Sequence, residues 1–119
     1  MHQLLAVQLD PDNLAWIERI TARDGSGKQS ITVRKALEAW AADPDKDMQF
    51  RKRLASVQTS REERTRRSFR IPHLIYRTLK IEAIERDQTL ANIVAAALAR
   101  YREQVDDALF IRDEERATQ

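Results

Sequence analysis

The chain has 119 residues and a formal net charge of +2, and 42% of its residues are hydrophobic, which is the composition of one modest globular unit. It contains no cysteine and two histidines, which excludes disulfide frameworks and thiolate metal sites and argues against a metalloenzyme. No apolar run approaches the length of a membrane span, so we expect a cytoplasmic protein with no membrane partner and no cofactor.

The charges are unevenly distributed along the chain. Residues 51–70 hold eight basic side chains against Glu62 and Glu63, whereas residues 103–119 hold six acidic side chains against two arginines. The middle of the chain is therefore basic and its end is acidic.

The first predicted element is a strand with the sequence LLAVQL, from Leu4 to Leu9. Its side chains alternate, so Leu5, Val7 and Leu9 face the core and Leu4, Ala6 and Gln8 face away. Asp10 is a helix-capping residue, and apolar residues at helical spacing predict a helix over 11–23. Glycines in DGSG end it, and a second amphipathic helix is predicted over 29–41.

A helix is also predicted over 44–57, in the segment that joins the two halves of the chain. Asp43, Pro44 and Asp45 form its start signal, and Met48, Leu54 and Val57 are its candidate core residues. The polar residues that follow lead into a second strand.

The second strand has the sequence TRRSFRIP, from Thr65 to Pro72. A side-chain period of two places Arg66, Ser68 and Arg70 on one face and Arg67, Phe69 and Ile71 on the other. Two further amphipathic helices follow, the last continuing to about Asp107 before a short helical or frayed tail.

The two halves match element by element, which predicts an internal repeat. Ile71 and Leu79 are spaced as Leu9 and Ile17 are, at an offset of 62 residues. The second helices match at an offset of 61, with Val94, Ala97, Leu98 and Tyr101 corresponding to Val33, Ala36, Leu37 and Trp40. The one-residue difference falls in a loop. The alternative is two unrelated helix pairs.

A strand followed by two amphipathic helices in about 40 residues resembles the ribbon-helix-helix DNA-binding family. There, two copies intertwine and their strands form an antiparallel ribbon that enters the major groove of double-stranded DNA. The resemblance implies a mainly α fold with a two-stranded ribbon, formed by repeats at 1–42 and 65–104 in one pseudo-dimeric chain. Residues 43–64 are then a linker and 105–119 an acidic tail.

The resemblance assigns base reading to the outward strand residues. These are Arg66, Ser68 and Arg70 in the second half, and Leu4, Ala6 and Gln8 in the first. Arginine pairs well with guanine and glutamine with adenine, whereas Leu4 and Ala6 suit thymine methyl groups or a structural role. The alternative for the arginines is edge-strand charge that prevents aggregation.

The resemblance assigns phosphate binding to the start of each second helix. The matching residues are Lys28, Gln29 and Ser30 in the first half, and Gln88 and Thr89 in the second. Thr89 is also a candidate N-cap, so its hydroxyl has a competing role. Arg51, Lys52 and Arg53 either extend the basic surface or form a solvated helix face.

The sequence has no pattern typical of a catalytic or metal site, so we do not expect an enzyme. The resemblance implies a sequence-specific DNA-binding protein. Its tandem form is similar to accessory factors of conjugation and T-DNA transfer, which implies a relaxase or another transfer protein as a partner. Transcriptional regulation is the close alternative. In a second alternative, the acidic tail of an antitoxin-like protein binds a toxin. We expect a monomer, with further association on DNA left open.

Overall fold

A computed structural model describes residues 2–24, 29–59 and 64–117, with side chains for 2–22, 29–53 and 64–106. The elements in chain order are β1 (His2–Leu9), α1 (Pro11–Asp24), α2 (Gln29–Ala42), α3 (Lys46–Thr59), β2 (Thr65–Pro72), α4 (His73–Glu85) and α5 (Leu90–Ala117). The prediction of a mainly helical fold with one short strand pair is confirmed.

β1 and β2 pair with each other as an antiparallel two-stranded sheet within the single chain. Leu5, Val7 and Leu9 of β1 are buried on its inner face, as are Phe69 and Ile71 of β2. Neither strand is stable alone, since each has an apolar face and an unpaired backbone edge; pairing and helix packing remove both defects.

The helix boundaries follow local capping chemistry. Asp10 accepts the backbone N–H of Asn13 at 2.8 Å, which confirms it as the N-cap of α1. α4 ends in a turn where Gln88 N–H reaches the carbonyl of Ala83 at 2.9 Å and Asp87 takes φ 53°. This is the pattern of a Schellman cap, in which an aspartate occupies the left-handed position that glycine usually fills.

The core is centred on α2 and α5, which pack on each other and on the sheet. Val33 and Leu37 of α2 and Val94 and Leu98 of α5 are completely buried. These four residues match in pairs at the predicted offset of 61 residues.

A buried polar network joins α2, α3 and α4. The Trp40 indole N–H donates to both carboxylate oxygens of Glu82, and Arg86 donates its Nε–H to Glu82 at 2.9 Å. Arg86 also pairs with Asp47 and lies over the Phe50 ring at 5.0 Å. Burial lowers the pKa of Arg86, but the hydrogen bonds and charges of Glu82 and Asp47 outweigh it, so the pKa is raised overall.

α3 packs against α5, and one of its three predicted core residues is exposed. Met48 is 59% exposed and Phe50 is 4% exposed, because two residues of helix place their side chains on nearly opposite sides of α3. The prediction for Met48 is therefore wrong, and the side chains of Leu54 and Val57 lie outside the described residues. Arg100 of α5 pairs with Asp43 at 3.4 Å just before α3 begins.

The C-terminal segment continues α5 without a break to Ala117. The predicted tail at 105–119 thus begins inside a helix, and its side chains from residue 107 onward lie outside the described residues. Across residues 2–24, 29–59 and 64–117, no helix has both the length and the apolar character needed to cross a bilayer.

Candidate nucleic-acid interface

The outer face of the sheet carries the six residues that the sequence predicts there. In the register, Leu4 lies opposite Arg70, Ala6 opposite Ser68, and Gln8 opposite Arg66. All six side chains are exposed, because their strand neighbours occupy the core. We call this set the ribbon face: Leu4, Ala6, Gln8, Arg66, Ser68 and Arg70.

The ribbon face is chemically unequal. Its two cations, Arg66 and Arg70, both lie on β2, one at each end, while β1 contributes no charge. Gln8 stands across from Arg66, and Leu4 stands across from Arg70. Four residues of strand separate the arginine backbones by about 14 Å, which is comparable to the roughly 12 Å width of the major groove.

No acid in the described part of the chain neutralises the arginines of the ribbon face. Among residues 2–22, 29–53 and 64–106, no carboxylate lies within ion-pair distance of Arg66 or Arg70. Both side chains are exposed. Two exposed guanidinium groups that form no ion pair with a described residue are suited to an acceptor-rich anionic partner.

An open cleft of about 590 Å³ lies between β2 and the beginning of α2. Three arginines line it, Arg34 from α2 and Arg67 and Arg70 from β2. Arg34 also pairs with Glu38 at 3.7 Å, in a partly exposed geometry that leaves donors available. We call this cleft, with Gln29 and Ser30 at its α2 wall, the arginine cleft.

The beginning of α2 forms one wall of the arginine cleft. Gln29 and Ser30 line it, and Ser30 Oγ accepts the backbone N–H of Arg70 at 3.3 Å. This hydrogen bond ties the helix start to the ribbon. The N–H groups of the first turn and the positive dipole end of α2 add to the arginine charge. Lys28, the third predicted phosphate residue of this half, lies outside the described residues.

The beginning of α5 differs from that of α2. Thr89 Oγ1 accepts the backbone N–H of Asn92 at 3.1 Å, so Thr89 is the N-cap, and Gln88 Oε1 accepts from the Asn92 side chain at 3.0 Å. Both predicted phosphate residues are therefore engaged in capping interactions, and exposed Asp87 precedes them. The side chains at this end are therefore less available to an anion than those at the start of α2.

Of the three consecutive basic residues of α3, Arg51 to Arg53, two are exposed and one is buried. Arg51 and Lys52 are exposed, but Arg53 is 7% exposed and donates to Gln49 and to Glu103 of α5. Arg53 therefore serves packing between α3 and α5, and its charge is compensated inside the protein.

Sequence reasoning missed three residues of the arginine cleft: His2, Arg34 and Arg67. Arg34 lies one helical turn after Ser30, a spacing that puts both on one side of α2. Arg67 belongs to the predicted inner face of β2, but it is exposed and lines the cleft beside α2. The other histidine, His73, contacts Gln3 through Nδ1 at 2.7 Å.

Comparison with protein-family models, with curated proteins and with solved structures found no match for this chain. Among the described residues, no group of three histidine, aspartate or glutamate side chains is arranged to hold a metal ion. Function is therefore inferred from the ribbon face and the arginine cleft.

Proposed function

We propose that this chain is a sequence-specific double-stranded DNA-binding protein whose ribbon face enters the major groove. The observation that carries the proposal is the ribbon face itself: exposed Arg66 and Arg70, unpaired among the described residues, flank Ser68 on one short strand. The major groove admits a two-stranded ribbon and presents a distinct set of donors and acceptors for each base pair.

The two halves of the chain are, in this proposal, ribbon-helix-helix repeats. The strand register supports it: Ala6 corresponds to Ser68 at the offset of 62, and these two residues lie directly opposite each other. The flanking pairs, Leu4 with Arg70 and Gln8 with Arg66, are then related by a local two-fold axis through that central pair. Such an axis is the symmetry of a dimer, here contained in one chain.

Contacts between the halves support an intertwined arrangement. Trp40 of α2 donates to Glu82 of α4, so the second helix of one half contacts the first helix of the other. In the reverse direction, Tyr101 of α5 meets Trp16 of α1 edge to face, with ring centroids 6.0 Å apart. Trp40 and Tyr101 are matching positions in the two halves.

The chemistry of the ribbon face suggests an asymmetric DNA site. Arg66 beside Gln8 suits a guanine next to an adenine, because these side chains form bidentate hydrogen bonds with those bases. Arg70 beside Leu4 suits a guanine near a thymine methyl group. Since the two ends of the face differ, the preferred site is not a palindrome.

The arginine cleft supplies the sequence-independent part of the proposed binding. Its arginines and the α2 N-terminus converge on one volume next to the ribbon, where a DNA phosphate would lie once the ribbon is in the groove. At the corresponding end of α5, the predicted phosphate residues Gln88 and Thr89 are already engaged in capping interactions. The proposed phosphate contacts are thus stronger on one side.

The biological process we propose is DNA transfer, as an accessory factor beside a relaxase, or transcriptional regulation. Both need sequence-specific duplex binding and differ in where the site lies. An antitoxin-like role would act through the C-terminal segment, so removal of residues 107–119 would abolish a toxin complex and spare DNA binding.

Selection of bound sequences from random duplex DNA tests the proposed function. We expect enrichment of a short non-palindromic site. A matched selection with Arg66→Ala/Arg70→Ala should enrich nothing, while its melting temperature stays near that of the parent, since both side chains are exposed. If the parent chain enriches no site, the proposal is wrong. The arginines would then be interpreted as edge-strand charges that prevent aggregation.

A further inference from the structure

The outer side of α4 is an apolar surface with nothing packed on it among the described residues. Leu74, Ile81 and Ile84 are 74%, 46% and 79% exposed. Leu79, Glu82 and Ala83 occupy the opposite, buried side of the helix. At 100° per residue, the three exposed residues fall within about a quarter of the helix circumference. We call these three residues the α4 stripe.

The α4 stripe is not required by the fold. At the offset of 62 residues, the matching positions on α1 are Asp12, Arg19 and Ala22, all exposed. The two helices share two buried positions, Ile17 with Leu79 and Thr21 with Ala83, and differ on the outside. α4 exposes three large apolar side chains to solvent, and α1 exposes none at the matching positions. Such a patch marks an interaction surface.

The charges beside the α4 stripe are self-complementary. Arg77 and Glu85 are both exposed, and they lie four residues before and four residues after Ile81. Among the described residues neither forms an ion pair. If two α4 helices cross antiparallel at Ile81, Arg77 of each copy lies beside Glu85 of the other.

We propose that a second copy of this chain docks on the α4 stripe through its own α4, in an antiparallel contact centred on Ile81. Among the residues whose side chains are described, such a stripe occurs on α4 alone, so the contact uses the same patch on both copies and closes as a dimer of two chains. If the stripe bound a different surface of the second copy, the contact would not close, and further copies would add to form a filament.

The contact is weak in free solution. It spans about three turns of one helix. The area it buries is therefore less than the roughly 1,200 Å² of total buried area typical of stable complexes. Two neighbouring sites on one duplex would raise the effective concentration of the second copy and strengthen the pairing. The dimer contact itself does not depend on DNA, so it can be measured without it.

Sedimentation equilibrium of the DNA-free chain tests the proposal. We expect concentration-dependent dimerisation, and Ile81→Lys should weaken it by about tenfold or more, since a lysine replaces the central apolar contact. Ala22→Lys, at the α1 position that matches Ile84, is the control and should leave dimerisation unchanged. Both positions are exposed, so both variants should fold.

Charge reversal identifies the occupant as a second copy. Arg77→Glu or Glu85→Arg alone should weaken dimerisation, whereas an equimolar mixture of the two variants should restore it, because each mixed pair regains two opposite-charge contacts. The proposal is overturned if the chain stays monomeric to about 1 mM, or if Ile81→Lys does not alter dimerisation. The partner that binds the stripe would then be a different protein. A mixture no stronger than its components overturns the antiparallel arrangement.

Discussion

The indole N–H of Trp40 reaches both carboxylate oxygens of Glu82, at 3.1 and 3.0 Å, across 42 residues of sequence. Trp40 belongs to the first half of the chain and Glu82 to the second, and both side chains are buried. The two halves therefore share one polar network as well as one apolar core.

Glu82→Ala should lower the free energy of unfolding by about 3 kcal/mol or more, because it leaves the Trp40 N–H unpaired and Arg86 with only Asp47. We expect one cooperative urea transition, displaced as a whole, since the network spans both halves. Glu38→Ala, which removes the exposed partner of Arg34, should cost less than about 1 kcal/mol. Two separate transitions, or equal shifts for the two variants, would contradict a shared core.

Arg34→Ala and Arg67→Ala should each weaken DNA binding about equally for all sequences, because phosphate contacts carry no base information. The slope of log affinity against log salt should become shallower by about one for each arginine lost. Titration of a labelled duplex at several salt concentrations measures both effects. Arg19→Ala, an exposed arginine of α1, is the charge-matched control. A changed base preference in either cleft variant would rule out a pure phosphate role.

At low micromolar concentration the chain should be folded with a mass near 13.8 kDa, because β1 and β2 pair within one molecule. Light scattering with a circular dichroism spectrum checks both statements. If the strands paired between chains, the folded species would have twice this mass at every concentration, and dilution would unfold it.

The strands and helix starts are the parts of the fold that the sequence predicts well. In β1 the alternation of Leu5, Val7 and Leu9 with Leu4, Ala6 and Gln8 specifies which side is buried, since a strand side chain has only two faces to choose from. The Asp10 cap is equally local, because its bond to Asn13 lies within one turn.

Long-range pairing accounts for what sequence reasoning missed. Arg53 sits in a basic run, but Glu103, 50 residues later, takes up its charge, and no local pattern specifies that contact. The arginine cleft likewise depends on α2 lying beside β2, which brings Arg34 close to Arg67. On α3, Met48 and Phe50 are both apolar, and only the packing against α5 and Arg86 determines which one is buried.

Base preference measured separately for Arg66→Ala and Arg70→Ala tests the central claim most directly. The two arginines lie at opposite ends of the ribbon face. Each variant should therefore lose about 1 to 3 kcal/mol of discrimination at one end of the selected site and keep the preference at the other end. If both variants select the same site as the parent chain with unchanged preference at every position, the ribbon face does not read DNA.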